Sequence, residues 1–189
     1  MTNAIFIVDV QNDFIEGGSL AVTGGENVAL GLSAHLAATN YDYIITSQDW
    51  HKDPGDHWSE TPDYVDTWPV HCAAGTFGAE LHTALKNILT TRTNRISILK
   101  GEYEAAYSGF EGRIADTPGY SVTDYLRSKG ITNLTIVGLA TDHCVFSTAR
   151  DALANGFNVI VLTNYCAGVD SARSEQALAD LDTAGAVII

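Results

Sequence analysis

Cysteine is scarce in this chain. Cys72, Cys144 and Cys166 are an odd, sparse set among 189 residues, which is not a disulfide framework. Positive charge is also short. Ten Lys and Arg stand against 23 Asp and Glu, and a formal charge of −13 excludes a protein built to grip nucleic acid or an anionic membrane. No stretch approaches the ~20 apolar residues of a membrane helix. The N-terminus MTNAIFIVDVQNDF lacks a basic lead, and its apolar run breaks at Asp9, so it does not read as a signal peptide. No G-x-G-x-x-G follows the first predicted strand, which sets aside a dinucleotide-binding oxidoreductase. The expected compartment is the cytoplasm.

What is present is a pattern of alternation. The chain is 46% hydrophobic and sized for one domain, residues 1–189. Ala4–Val10, Tyr43–Ser47, Arg95–Leu99, Leu134–Gly138, Asn158–Leu162 and Ala186–Ile189 are nearly continuous apolar runs of the kind buried parallel strands require. Helical patterns lie between them, at about Glu26–Thr39, Glu80–Asn87, Ser121–Lys129, Asp142–Asn155 and Ser171–Thr183. Gly130 and Gly156 stand where helix C-caps belong. The expected fold is α/β, a doubly wound and mainly parallel sheet with helices on both faces. Two connections are long, Gln48–Gly78 and Gly101–Gly119. Loops of that length in a compact domain usually serve function.

The first of these loops carries DWHKDPGDHWSETPDYVDTWPVH, which places Asp49, His51, His57 and His71 within 23 residues. Asp49 and His51 share a face of an extended backbone. Three imidazoles and a carboxylate, with no thiolate, form a ligand set for iron, manganese or zinc in an open site. The competing reading is a polar loop that happens to be rich in histidine.

In doubly wound sheets ligands bind beyond the carboxyl ends of the strands. Asp9 lies near the end of the first predicted strand, Asp49 and His51 after the second, and Lys100 after the third. Cys144 opens the helix after the fourth, with Thr141 or Asp142 as natural N-cap. There the free N–H groups and helix dipole favour a thiolate. Singly, each has an ordinary reading: a core cysteine, a strand-end aspartate, a solvated lysine. Together they form a nucleophile, a base and a cation suited to acyl transfer at an amide. Cys72 and Cys166 read as structural. His143 precedes the nucleophile and points elsewhere on a helix, so its expected place is behind the site.

VDVQNDF, D-x-H followed by PGDH, WPVHC, the KG-x-Y…AYSGFEG stretch and GLATDHCV together resemble the nicotinamidases of the isochorismatase-like hydrolase family. The matches run in order from Asp9 to Gly168. The resemblance implies a parallel sheet of about six strands and a catalytic triad of Asp9, Lys100 and Cys144. It implies one divalent ion, iron, manganese or zinc, on Asp49, His51, His57 and His71. It implies an aromatic substrate pocket of Phe14, Trp68 and Tyr107, and an oxyanion hole from the Ala140 and Cys144 amides beside a cis Leu139–Ala140 peptide. The implied substrate is nicotinamide. Leu89–Arg95 aligns with nothing in this pattern, and oligomeric state is unreadable. Within the fold, a vinyl-ether hydrolase needs no cysteine, and a ureido-type amidohydrolase has no use for a pyridine-binding metal. A non-enzymatic metal-binding module is the reading from another class.

Overall fold

The computed structural model describes residues 2–189. In chain order the elements are β1 (Thr2–Val8), α1 (Gly25–Ala38), β2 (Tyr43–Asp49), α2 (Thr83–Thr90), β3 (Arg95–Lys100), β4 (Arg113–Ile114), α3 (Val122–Ser128), β5 (Ile131–Leu139), α4 (Phe146–Ala154), β6 (Asn158–Ala167), α5 (Ser171–Thr183) and β7 (Val187–Ile188). Among the described residues the strands form a seven-stranded sheet in the order β4-β3-β2-β1-β5-β6-β7. Every pairing is parallel except β3 with β4.

Successive side chains of a strand face opposite ways, and both faces of β1 are buried. Ala4, Phe6 and Val8 pack on one face with Val122 and Leu126 of α3, Ala149 and Ala152 of α4 and Leu181 of α5. Ile5 and Ile7 pack on the other with Leu32 and Leu36 of α1 and Leu85 and Leu89 of α2. A sheet covered on both sides needs continuous apolar strands. This chain supplies them.

All six expected strands and five expected helices are present, with four adjustments. The seventh strand, β4, is a two-residue antiparallel pairing inside the Gly101–Gly119 connection, too short to leave a pattern. β1 stops at Val8 rather than Val10, because Asp9 takes a left-handed conformation with φ of 49°. α2 starts at Thr83 rather than Glu80, where His82 accepts the Ala84 amide as N-cap. The predicted helix from Asp142 is α4 preceded by one π-helical turn, Thr141–Val145. Ala140 occupies its N-cap position and no side chain caps it, so neither Thr141 nor Asp142 has that role.

The winding reverses between β1 and β5, and there the carboxyl ends of β1, β2, β3 and β5 converge. Gly138 permits the close approach. Its φ is 119°, and a Cβ there would lie 2.1 Å from the Val8 carbonyl oxygen. Gly138→Ala is expected to destabilise the protein by about 1–3 kcal/mol from backbone conformation alone, and further through that overlap. A urea midpoint equal to wild type would contradict this.

Candidate active site

The Asp49–His71 loop folds back on itself. His51 donates its amide to the Cys72 carbonyl at 3.1 Å and accepts the Ala74 amide at 2.8 Å. Farther out, the Trp68 amide donates to the His57 carbonyl at 2.9 Å. Asp63 closes the tip by accepting the Val65, Asp66 and Thr67 amides, each at 2.9 Å. Asp13 anchors the return strand, its Oδ2 accepting the Cys72 amide at 2.7 Å. Together these bonds bring the three histidines of the loop into one place.

The imidazole tautomers follow from their partners. His51 Nδ1 faces the Gly101 carbonyl at 2.5 Å, and His71 Nδ1 faces the Pro69 carbonyl at 2.8 Å. A carbonyl only accepts, so both rings carry hydrogen on Nδ1 and a lone pair on Nε2. Gly101 must be glycine, since a Cβ there would meet His51 Cε1 at 2.6 Å. His51 Nε2 and His57 Nδ1 are buried without a hydrogen-bond partner. The three imidazoles offer ligand atoms within 4.8 Å of one another. Asp49 Oδ2 lies 3.6 Å from His51 Nε2 and 3.8 Å from His71 Nε2. Converging buried lone pairs with no internal donor are what a divalent ion satisfies, so this donor set fits one.

Lys100 joins this cluster to Cys144. Its ammonium is 1% exposed and donates to Asp49 Oδ1 at 2.5 Å, the Ala106 carbonyl at 2.8 Å and Cys144 Sγ at 3.6 Å. It also stands 2.9 Å from Asp9 Oδ2. Ser47 donates its hydroxyl to Asp9 Oδ1 at 2.7 Å, while Oδ2 receives no aligned hydrogen bond. Burial pushes the Asp9 carboxyl above the usual carboxylate range, against the pull of Lys100. Burial acts on Asp49 in the same sense, but Lys100 outweighs it and holds Asp49 low. Burial also works against the Lys100 charge, and the two carboxylates overcome it, holding that ammonium well above its ordinary pKa.

Cys144 sits in the π-turn, where the Ala140 carbonyl accepts the His143 and Val145 amides at 3.0 and 3.1 Å, flanking the Cys144 amide. The Leu139–Ala140 peptide is cis. Burial drives the Cys144 thiol well above its ordinary value and Lys100 only partly offsets this, opposite in direction to the stabilisation expected of a helix N-terminus.

Above Cys144 opens a pocket of about 470 Å³, open solvent at its mouth included, whose walls include Phe14, Trp68, Tyr107, Asp49, His57 and His71. Trp68 donates its indole N–H to Tyr107 Oη at 3.0 Å, which fixes one wall. Leu20, Val22, Val169 and His143 also line it and were not legible in the sequence. His143 was expected behind the site, yet its ring packs against Trp68 with centroids 5.3 Å apart. The π-turn redirects it. Asp142 is the hidden anchor, since its carboxylate accepts the Val169 and Asp170 amides at 2.9 and 3.1 Å and so ties the Val169 wall to the Cys144 turn. Cys72 and Cys166 are free thiols, with Cys72 fully buried and Cys166 partly so. Leu89–Arg95 proves to be the end of α2 and its link to β3, where Arg92 donates to the Leu36 carbonyl.

Residues 3–189 match the isochorismatase domain. The chain is 46% identical to a nicotinamidase/pyrazinamidase of Mycobacterium tuberculosis, across 98% of this chain and 97% of that protein. It is 35% identical to a nicotinamidase of Escherichia coli, across 98% and 93%. A Pyrococcus horikoshii pyrazinamidase solved in complex with zinc aligns with a TM-score of 0.82 at 29% identity, covering 100% of this chain and 99% of that one. An L. infantum protein, PnC1, solved in complex with nicotinate, aligns with a TM-score of 0.84 at 34% identity, covering 100% and 92%.

Burial holds His57 down to about 4, against 6.5 for a free imidazole. Between those values the unfolded chain binds a proton that the folded chain refuses. The metal-free protein is therefore expected to lose stability as pH falls from about 6.5 to about 4. Melting temperatures across that range should fall more steeply for wild type than for His57→Ala, and equal slopes would contradict it.

Proposed function

The chain belongs to the isochorismatase family, and we propose that it hydrolyses nicotinamide to nicotinate and ammonia through a thioester on Cys144, with a divalent metal on Asp49, His51, His57 and His71. The observation that carries this reading is the shared position of Lys100. One buried ammonium touches a nucleophile candidate, a base candidate and a carboxylate that faces two of the three imidazoles. An aromatic pocket opens above them. The similarity to nicotinamidases supports the substrate, and the similarity to a zinc complex supports the metal.

The ring of the substrate lies between Phe14, Trp68 and Tyr107. A metal bound by Asp49 and the three histidines would supply a Lewis-acid anchor for the pyridine nitrogen, and so orient the carboxamide. Asp9, its carboxyl raised by burial, takes the proton from the Cys144 thiol. The sulfur attacks the carboxamide carbon and forms a C–S bond. The Ala140 and Cys144 amides hold the resulting oxyanion, where one donor is typically worth about 2.7–4 kcal/mol. Asp9 returns its proton to the nitrogen, the C–N bond breaks and ammonia leaves. Asp9 then takes a proton from water, whose oxygen attacks the thioester carbon. The C–S bond breaks, Asp9 passes its proton to the Cys144 sulfur, and the carboxylic acid product gives up its own proton to water and departs as nicotinate. Lys100 stays charged throughout and keeps Asp9 in place.

Pyrazinamide has the same carboxamide and a ring nitrogen at the equivalent position, so the same steps hydrolyse it. The product feeds NAD salvage. Three free cysteines suit a cytoplasmic enzyme. Among the described residues no helix is long and apolar enough to cross a membrane.

Cys144→Ala is expected to fold as wild type and to lower ammonia release from nicotinamide by a factor on the order of 10⁴–10⁶. Substantial residual turnover in that variant contradicts the covalent route. Chelation is expected to abolish turnover while the far-ultraviolet dichroism persists, and added zinc, manganese or iron to restore it. Unfolding on chelation would instead mark a structural metal.

A further inference from the structure

We propose that Gln11 is a positioning residue for Asp49, its carboxamide replacing the strand residue that β1 withdraws at Asp9. The inference rests on the metal site proposed above. Asp9 makes the last backbone contact of β1 with β2, donating its amide to the Ser47 carbonyl at 3.2 Å. In a continuing parallel ladder the Asp9 carbonyl would next accept the Asp49 amide. Asp9 turns left-handed instead, and its carbonyl accepts the Gln11 amide at 2.8 Å.

The Gln11 side chain fills the vacated rung. Its Oε1 accepts the Asp49 amide at 2.8 Å, and its Nε2 donates to the Asp49 carbonyl at 2.9 Å. The second Nε2 hydrogen goes to the Ala79 carbonyl at 2.9 Å. Gln11 is 0% exposed, so no water competes for these bonds. Across the strand, Asp49 stays in register with Lys100 of β3. Asp49 is thus gripped from both sides after β1 has left the ladder. The same departure frees Asp9 to face Lys100. One side-chain amide lets two adjacent strand ends serve two different duties. Gln48 provides a matched control, because its Nε2 donates at 2.8 Å to the same Ala79 carbonyl and not to Asp49.

Metal-free wild type, Gln11→Met and Gln48→Met would each be titrated with zinc against a chromophoric chelator, alongside thermal melts. Methionine keeps the length and bulk of glutamine without its amide. Gln11→Met is expected to bind zinc about 10- to 100-fold more weakly than wild type, the usual effect of losing a group that orients a ligand. Gln48→Met is expected to keep wild-type affinity. Wild-type zinc affinity in Gln11→Met overturns the inference whatever its melting temperature, as does an equal loss in Gln48→Met. If Gln11→Met does not fold, Gln11→Asn, polar but one methylene shorter, carries the same test. Wild type that binds no zinc overturns the metal site itself, and the inference with it, before any variant is compared.

Discussion

One buried ammonium organises this molecule. Lys100 ends β3 with its charge almost fully removed from water, among Asp9, Asp49, the Ala106 carbonyl and Cys144. Two carboxylates at this depth would repel each other and pay a desolvation cost with no cation between them. Removing one partner from a buried ion cluster typically costs about 3–5 kcal/mol. The arrangement therefore requires three strands to end at the same level. Their parallel register, with Asp49 opposite Lys100 and Val8 opposite Ser47, sets that level.

The two carboxylates share one lysine and are displaced in opposite directions. Asp49 is paired with Lys100 through Oδ1 and stays ionised. Asp9 has Ser47 on one oxygen and deep burial around it, so its proton affinity rises. Groups whose environments part their pKa values in this way are suited to different tasks. In the proposed cycle one carboxylate binds and orients, while the other carries protons. In the proposed cycle the upward shift of the Cys144 thiol fits the same division, since a nucleophile generated only by transfer to Asp9 stays protected between turnovers.

The α/β class and the residues at strand ends were legible because buried parallel strands write themselves as apolar runs. A charge at the end of such a run is conspicuous, and Asp9, Asp49 and Lys100 all have that signature. The histidines were legible as a cluster. What brings them together was not, because it is backbone pairing within an irregular loop and an anchor from Asp13 far away in sequence. Gln11 and Ser47 were missed because uncharged polar residues near a strand end look ordinary until their partners are known. Asp142 was misread because a carboxylate before a helix suggests a cap, whereas here it holds the Val169 loop. The π-turn after Ala140 leaves no periodic trace in five residues, so the inward turn of His143 could not be foreseen.

The most direct measurement is mass spectrometry of protein acid-quenched during turnover of nicotinamide, followed by digestion and analysis of the peptide containing Cys144. The expected result is one nicotinoyl group on Cys144 that appears with the first turnover and disappears once substrate is exhausted. Ammonia release at full rate with Cys144 a free thiol at every time point, and a nicotinoyl group on no residue, would contradict it.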